Sequence, residues 1–193
     1  MPWEKKFDVG QVQQKAMEVF WIRGYDATSI QDLLDSAGIN RASFYDTFTS
    51  KRQVLLDALR RYDRTNRRAL FEEARRDRSP KASIVWIFNG AAERCSRPVG
   101  RRGCFLVNSA LELAPRDREV AAMVNRSFTE IEEFFRAAIA EGQKKREIPR
   151  QVEARATSRA LLGMLLGIRV LSRSGAPKSA IRAIARQAIA LLG

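Results

Sequence analysis

The chain has 193 residues, 35 of them Lys or Arg against 22 Asp or Glu, giving a formal net charge of +13, with no histidine and two cysteines. The missing imidazole excludes histidine as general base, proton shuttle or metal ligand, and two thiols alone cannot close a four-ligand zinc site. With 45% hydrophobic and 30% charged residues the composition is globular, and the length suits one large domain or two small ones.

The opening Met1-Pro2-Trp3-Glu4-Lys5-Lys6 lacks the apolar run of a signal peptide, so a cytoplasmic protein with reduced thiols is expected. The strongest apolar run, Ala160 to Ile168, is bounded by Arg159 and Arg169, far short of the roughly 20 residues of a membrane span. The positive excess lies in residues 61–103 and 151–193, while the first 60 residues carry equal numbers of basic and acidic side chains. A basic total alone is therefore weak evidence for nucleic-acid binding, because arginines on the wet faces of long helices give the same sum.

Apolar residues recur at helical spacing throughout, which predicts an all-α fold. Val12, Ala16, Val19 and Phe20 mark a first helix over 9–23, stopped by Gly24. Thr28 or Ser29 offers an N-cap to a short helix carrying Ile30, Leu33, Leu34 and Ala37, ended by Gly38. Asn40 caps a third, very short helix whose Phe44, with Phe48 four residues on, points inward. Ser50 caps a fourth, which runs from Lys51 through Tyr62 and can continue to Arg76 before Ser79-Pro80 punctuates the chain. Further helices are predicted over 82–95, 104–114, 116–146, 152–172 and 177–192, with a Gly- and Pro-bearing loop over 96–103. That makes about nine.

Two short capped helices joined by the tight turn Ala37-Gly38-Ile39-Asn40 have the helix-turn-helix layout, whose second helix enters the DNA major groove. Phe44 and Phe48 pin that helix inward, which leaves Arg41, Ala42, Ser43, Tyr45, Asp46 and Thr47 facing out. From about residue 8 to residue 60 the chain resembles the TetR family of bacterial transcriptional regulators, through Thr28-Ser29-Ile30, Ala37-Gly38-Ile39-Asn40, Tyr45-Asp46-Thr47-Phe48 and Thr49-Ser50-Lys51. Two departures bear on base preference: Ala42 stands where the family often has Gly, and Asp46 and Thr47 where it often has a basic residue or His.

The resemblance implies a helix-turn-helix DNA-binding domain over 1–50 and a helical effector-binding and dimerisation domain over 51–193. It implies a repressor that binds a palindromic operator as a homodimer and is released by a small molecule. Thr28, Lys51 and Tyr45 are then expected on phosphates, and Arg41 on a guanine edge, with Ala42 and Ser43 against bases. Ser29, Asn40 and Thr47 complete the DNA-facing set. Two C-terminal helix faces are expected to pair with their copies, Ala160, Gly163, Gly167 and Val170 on one and Ile181, Ile184, Ala185 and Ala188 on the other. Packing inside the monomer is the competing reading of both faces.

An effector pocket lined by Trp86, Phe88, Cys104, Phe105, Asn108, Glu112, Met123, Phe128 and Met164 is expected, although residues of these kinds at helical spacing are more often plain core. Cys104, after Arg101-Arg102-Gly103 and at a helix start, is similar to the segment through which some family members sense electrophiles or oxidants. Its competing reading is a small buried hydrophobe. No cofactor or metal is expected. An enzyme is disfavoured, since Glu72-Glu73 and Glu130 with Glu132-Glu133 point different ways around a helix and no phosphate loop or nucleophile elbow occurs. The other rival is a general basic protein that binds nucleic acid without sequence preference.

Overall fold

The computed structural model describes residues 8–95 and 97–193, and among these every regular element is helical. They form nine helices, α1 (Val9–Arg23), α2 (Ile30–Ala37), α3 (Arg41–Tyr45), α4, α5 (Pro80–Cys95), α6 (Phe105–Glu112), α7 (Arg118–Lys144), α8 (Ala154–Arg173) and α9 (Lys178–Ala190), and one short 3-10 helix, Pro98–Arg102, within the stretch expected as loop. Helix α4 is one continuous rod over 51–75, α-helical at Lys51–Tyr62 and Ala69–Arg75 and widened to a π-helix at Asp63–Arg68.

Local chemistry sets the boundaries. Asp8, Ser29, Asn40, Ser50, Asp117 and Glu153 each accept a backbone N–H of the following first turn, which satisfies amides the helix leaves open. The cap at Asp117 is why α7 begins at Arg118 and not at the expected Arg116. Asp117 also takes Arg52 Nε at 2.7 Å and Nη2 at 2.9 Å, joining α7 to α4. The Arg52 hydrogen bonds, against a small cost of burial, pull its carboxyl down to about 2. That stabilisation is complete above the free-carboxyl value near 3.9 and fades as the pH falls through about 2. Asp117→Ala is expected to cost about 1 kcal/mol at pH 7, with the difference shrinking between pH 4 and pH 2 in urea unfolding.

Two apolar clusters fill the molecule. One gathers Phe20, Leu34, Phe44, Phe48, Leu55 and Leu59 from α1–α4 with Phe105, Leu106 and Leu113 of the α6 region and Val120 and Val124 of α7. The N-terminal head thus shares its core with the helices behind it. The other gathers Ile84, Ile87 and Phe88 of α5, Phe134, Phe135 and Ile139 of α7, and the inner faces of α8 and α9. None of the described helices is long and apolar enough to cross a membrane.

Helix α9 corrects one expectation. Ile181, Ala185 and Ala188 are buried within the chain, packed into the core that α5 also lines, so they cannot also face a second copy. Apolar periodicity marks a buried stripe without naming its partner. The outward side of α9 carries Ala180, Gln187 and Leu191, with Ile184 half-buried beside them. On α8, Ala160, Gly163 and Val170 are exposed and Gly167 is half-exposed, and a Cβ at either glycine would meet open space.

Candidate nucleic-acid interface

A five-residue helix cannot hold itself together in water, so α3 depends on its surroundings. Asn40 Oδ1 accepts Ser43 N at 2.8 Å. Gly38 makes the preceding turn in the left-handed region, φ 69°, and both its N–H and that of Ile39 return to Leu34 O. The ring of Phe44 is buried, with Phe48 5.4 Å away. Upstream, Ser29 and Asp32 cap α2 reciprocally, at 3.0 Å and 2.8 Å.

This scaffold displays Arg41, Ala42, Tyr45 and Asp46 to solvent, with Ser43 and Thr47 half-exposed. Arg41 pairs with no carboxylate among the described residues, so its guanidinium is available to a base edge. Tyr45 is 46% exposed and leans edge-on against Phe44. Ser29 and Asn40 are exposed, but their side-chain oxygens are committed as caps. The Thr47 hydroxyl donates to Ser43 O at 3.2 Å, leaving its lone pairs outward.

Burial and hydrogen bonding correct one expected phosphate contact and largely commit a second. Thr28 is 1% exposed and its hydroxyl donates to Gly24 O at 2.6 Å, so it closes the α1–α2 loop instead of meeting a ligand. Lys51 reaches back to the same loop, donating to Tyr25 O at 2.8 Å and Thr28 O at 2.7 Å with its ammonium 4.1 Å over the Tyr25 ring. One N–H of three remains for an anion. Lys51→Met is expected to lower stability by about 1.5–3 kcal/mol, read by denaturant unfolding; a loss confined to DNA affinity would restore it to the contact set.

The other side of that loop is held from behind. Glu112 of α6 accepts Tyr25 N at 2.8 Å and 3.1 Å and Asp26 N at 2.8 Å. A Cβ at Gly24, φ 88°, would lie 3.0 Å from the Glu112 carboxylate, so only glycine suits this close approach. Arg116 pairs with Asp26, and Arg173 of α8 donates to Trp21 O at 3.2 Å. Sequence reading placed Glu112 in a pocket; it is a strut between the head and the C-terminal helices.

A cavity of about 450 Å³ lies between α1, α4 about its π-helical turn, α5, the start of α6, α7 and α8. Cys104 and Phe128 line it, and the other seven expected lining residues do not. Phe88 is buried in the core, stacked on Phe135 at 5.9 Å, and Phe105 packs edge-on to Tyr62. Asn108 Nδ2 donates to Arg102 O at 3.0 Å, and Met164 packs on the C-terminal core. Met123 borders a separate depression beside Arg60 and Arg126. Trp86 lies under Arg78 in an open groove on another side of α5. Cys104 Sγ accepts the Tyr62 hydroxyl at 3.5 Å, and burial, then the neighbouring Cys104, push the Tyr62 hydroxyl well above its ordinary value.

Sequence reading missed Trp21, Tyr62, Arg94 and Arg169 on the cavity wall. Arg169, a cation ending an otherwise apolar run, was the one available signal. The π-helical turn has its own anchor, since Arg67 is buried between Asp63 and Glu130, and Ser127 Oγ donates to Asp63 Oδ1 at 2.8 Å. Burial raises the Asp63 carboxyl, but the Arg67 and Ser127 hydrogen bonds outweigh it and hold it below the usual value.

Residues 14–58 match the family model for bacterial regulatory proteins of the tetR family, and residues 80–189 match the model for the tetracyclin repressor-like C-terminal domain. The HTH-type transcriptional regulator YezE of Bacillus subtilis (strain 168) is 37% identical over 131 residues, covering 68% of each chain. The HTH-type transcriptional repressor ComR of Escherichia coli (strain K12) is 27% identical over 184 residues, 94% of this chain and 87% of that one. Among solved structures, the TetR family regulator CifR, a cysteine mutant complexed with a 26 bp double-strand operator DNA, superposes with a TM-score of 0.84. It is 23% identical and the match covers 96% of this chain and 97% of that one. The model matches, the relatives and the helix-turn-helix geometry agree, and the chain belongs to the TetR family of DNA-binding bacterial transcriptional regulators.

Proposed function

We propose that the protein is a cytoplasmic repressor that reads a palindromic operator as a homodimer and leaves it when a small molecule enters the cavity. The head, residues 1–50, lays α3 in the major groove, with Arg41 gripping a guanine edge, Ala42 and Ser43 against neighbouring bases and Tyr45 on a phosphate. The observation that carries this is the capped, Phe44-pinned α3 displaying an unpaired guanidinium beside an exposed tyrosine. Residues 51–193 hold the effector and the partner copy, with α4 shared between the two parts. A wall of the cavity belongs to α1 through Trp21, and α1 leads directly into the loop gripped by Lys51 and Glu112. Displacing that wall moves the loop, and with it α2 and α3, which supports a change in the spacing of two heads.

Selection from a random duplex pool at near-physiological salt tests the reading. The intact protein is expected to enrich a palindrome, and Arg41→Ala to relax one base position at a cost of about 1–3 kcal/mol. Salt-sensitive binding with no enriched sequence would instead favour the general basic nucleic-acid-binding protein.

A further inference from the structure

Three hydrogen-bond donors on the cavity wall have nothing adequate to donate to. Trp21 Nε1 and Arg94 Nη2 are buried without a partner, and the Arg169 guanidinium reaches only the weak acceptor Cys95 Sγ, at 3.9 Å. All three gather about Tyr62. The Trp21 ring stands edge-on to the Tyr62 ring at 4.9 Å, and the charges of both arginines act on Tyr62. Buried donors in native proteins are almost always satisfied, and buried charges are paired. Here two guanidiniums face the same space, and among the described residues neither has a carboxylate within ion-pair range.

The other charges on this wall are already matched. Arg67 is held by Asp63 and Glu130, and Glu73 sits 3.3 Å from Arg76. Burial, then the neighbouring Arg169, hold Arg94 below the ordinary guanidinium value, so an anion placed between them relieves both. Away from these donors the lining is mainly apolar, with Leu70, Phe71, Leu106, Phe128, Ile131 and Leu165, and Thr65 and Asn66 add two neutral polar side chains. Arg94 also borders the open groove over α5, but Trp21 and Arg169 do not, so the three converge only on the inner cavity.

We propose that this cavity takes an organic monocarboxylate with an apolar body, its carboxylate held by Arg94, Arg169 and the Trp21 indole N–H. Guanidinium forks match the two carboxylate oxygens in geometry as well as charge, and a cavity of about 450 Å³ suits a small aromatic or short aliphatic body. The inference names the class of effector and rests on the repressor reading only for the consequence at DNA.

Titration calorimetry of the intact chain with trans-cinnamate and 1-naphthoate, each against its neutral amide, tests it without DNA. The acids are expected to bind about tenfold or more tighter than their amides. Arg94→Gln and Arg169→Gln should each lose about tenfold in acid affinity and leave amide affinity unchanged, with Arg169→Lys recovering part of the loss. Amides that bind as well as acids, or acids that fail to bind at about 1 mM, overturn it; since these are read on the unaltered chain, a variant that misfolds does not obscure the result. Duplex binding, measured separately, distinguishes the two readings. An acid-selective chain that enriches no operator keeps this inference and sinks the repressor, and an operator binder indifferent to acids does the reverse.

Discussion

Phe44→Ala is expected to cost about 3–5 kcal/mol of stability, the range for truncating a buried aromatic, and to abolish operator binding at concentrations where the intact protein is saturated. Phe44 is 1% exposed and contacts the rings of both Tyr45 and Phe48. Five residues of helix contribute too few backbone hydrogen bonds to persist alone, so nearly all that fixes α3 is this ring, the Asn40 cap and the Gly38 turn. The cavity left by alanine also opens onto a core continuous with α6 and α7. Unfolding should therefore remain a single transition shifted to lower denaturant, not a separate melting of the head. Asn40→Ala, which removes one capping acceptor and no packing, should cost only about 1 kcal/mol. Denaturant unfolding of both variants checks the ordering. A Phe44 variant within about 1 kcal/mol of the parent would mean that this ring's burial does not hold α3.

The helix-turn-helix was legible because its signals are local. Each signal joins residues no more than four apart, Asn40 with Ser43 at the cap and Gly38 with Leu34 at the left-handed turn. Thr28 was placed on a phosphate by the resemblance, and only the fold shows that its hydroxyl turns inward to Gly24 while the adjacent Ser29 caps α2. Lys51 reads as a free cation in sequence, whereas the carbonyls it satisfies lie 26 and 23 residues away along the chain. The cavity was the least legible feature. Its wall draws residues from six helices and the loop before α6, so no single segment carries the whole pattern, and Phe88 and Phe105 look the same in sequence whether they line a cavity or fill a core. The same ambiguity misdirected the α9 stripe. Ile181, Ala185 and Ala188 meet their own chain, while the outward row of Ala180, Ile184, Gln187 and Leu191 is interrupted by a polar residue and gives a weaker periodicity.

That outward row, with Ala160, Gly163, Gly167 and Val170 of α8, is where a second copy is expected to pack, and Gly163→Glu should prevent it. Val170 and Leu191 are 41% and 38% exposed, large apolar side chains on neighbouring helices, and the glycines between them leave room for a helix to approach closely. In a twofold interface each substitution appears twice, so Gly163→Glu places two carboxylates and their bulk in one apolar contact. Within one chain a Cβ at Gly163 meets nothing within 4 Å, and glutamate has the better helix propensity. The isolated chain should accordingly keep its circular dichroism spectrum. Sedimentation should show a monomer, and the melting temperature should no longer rise with protein concentration. Operator affinity should fall by about 10²–10⁴, because a linked second head acts at high effective concentration on its half-site and a free one does not. A Gly163→Glu protein that still sediments as a dimer and holds its operator would move the dimer interface off α8 and α9 altogether.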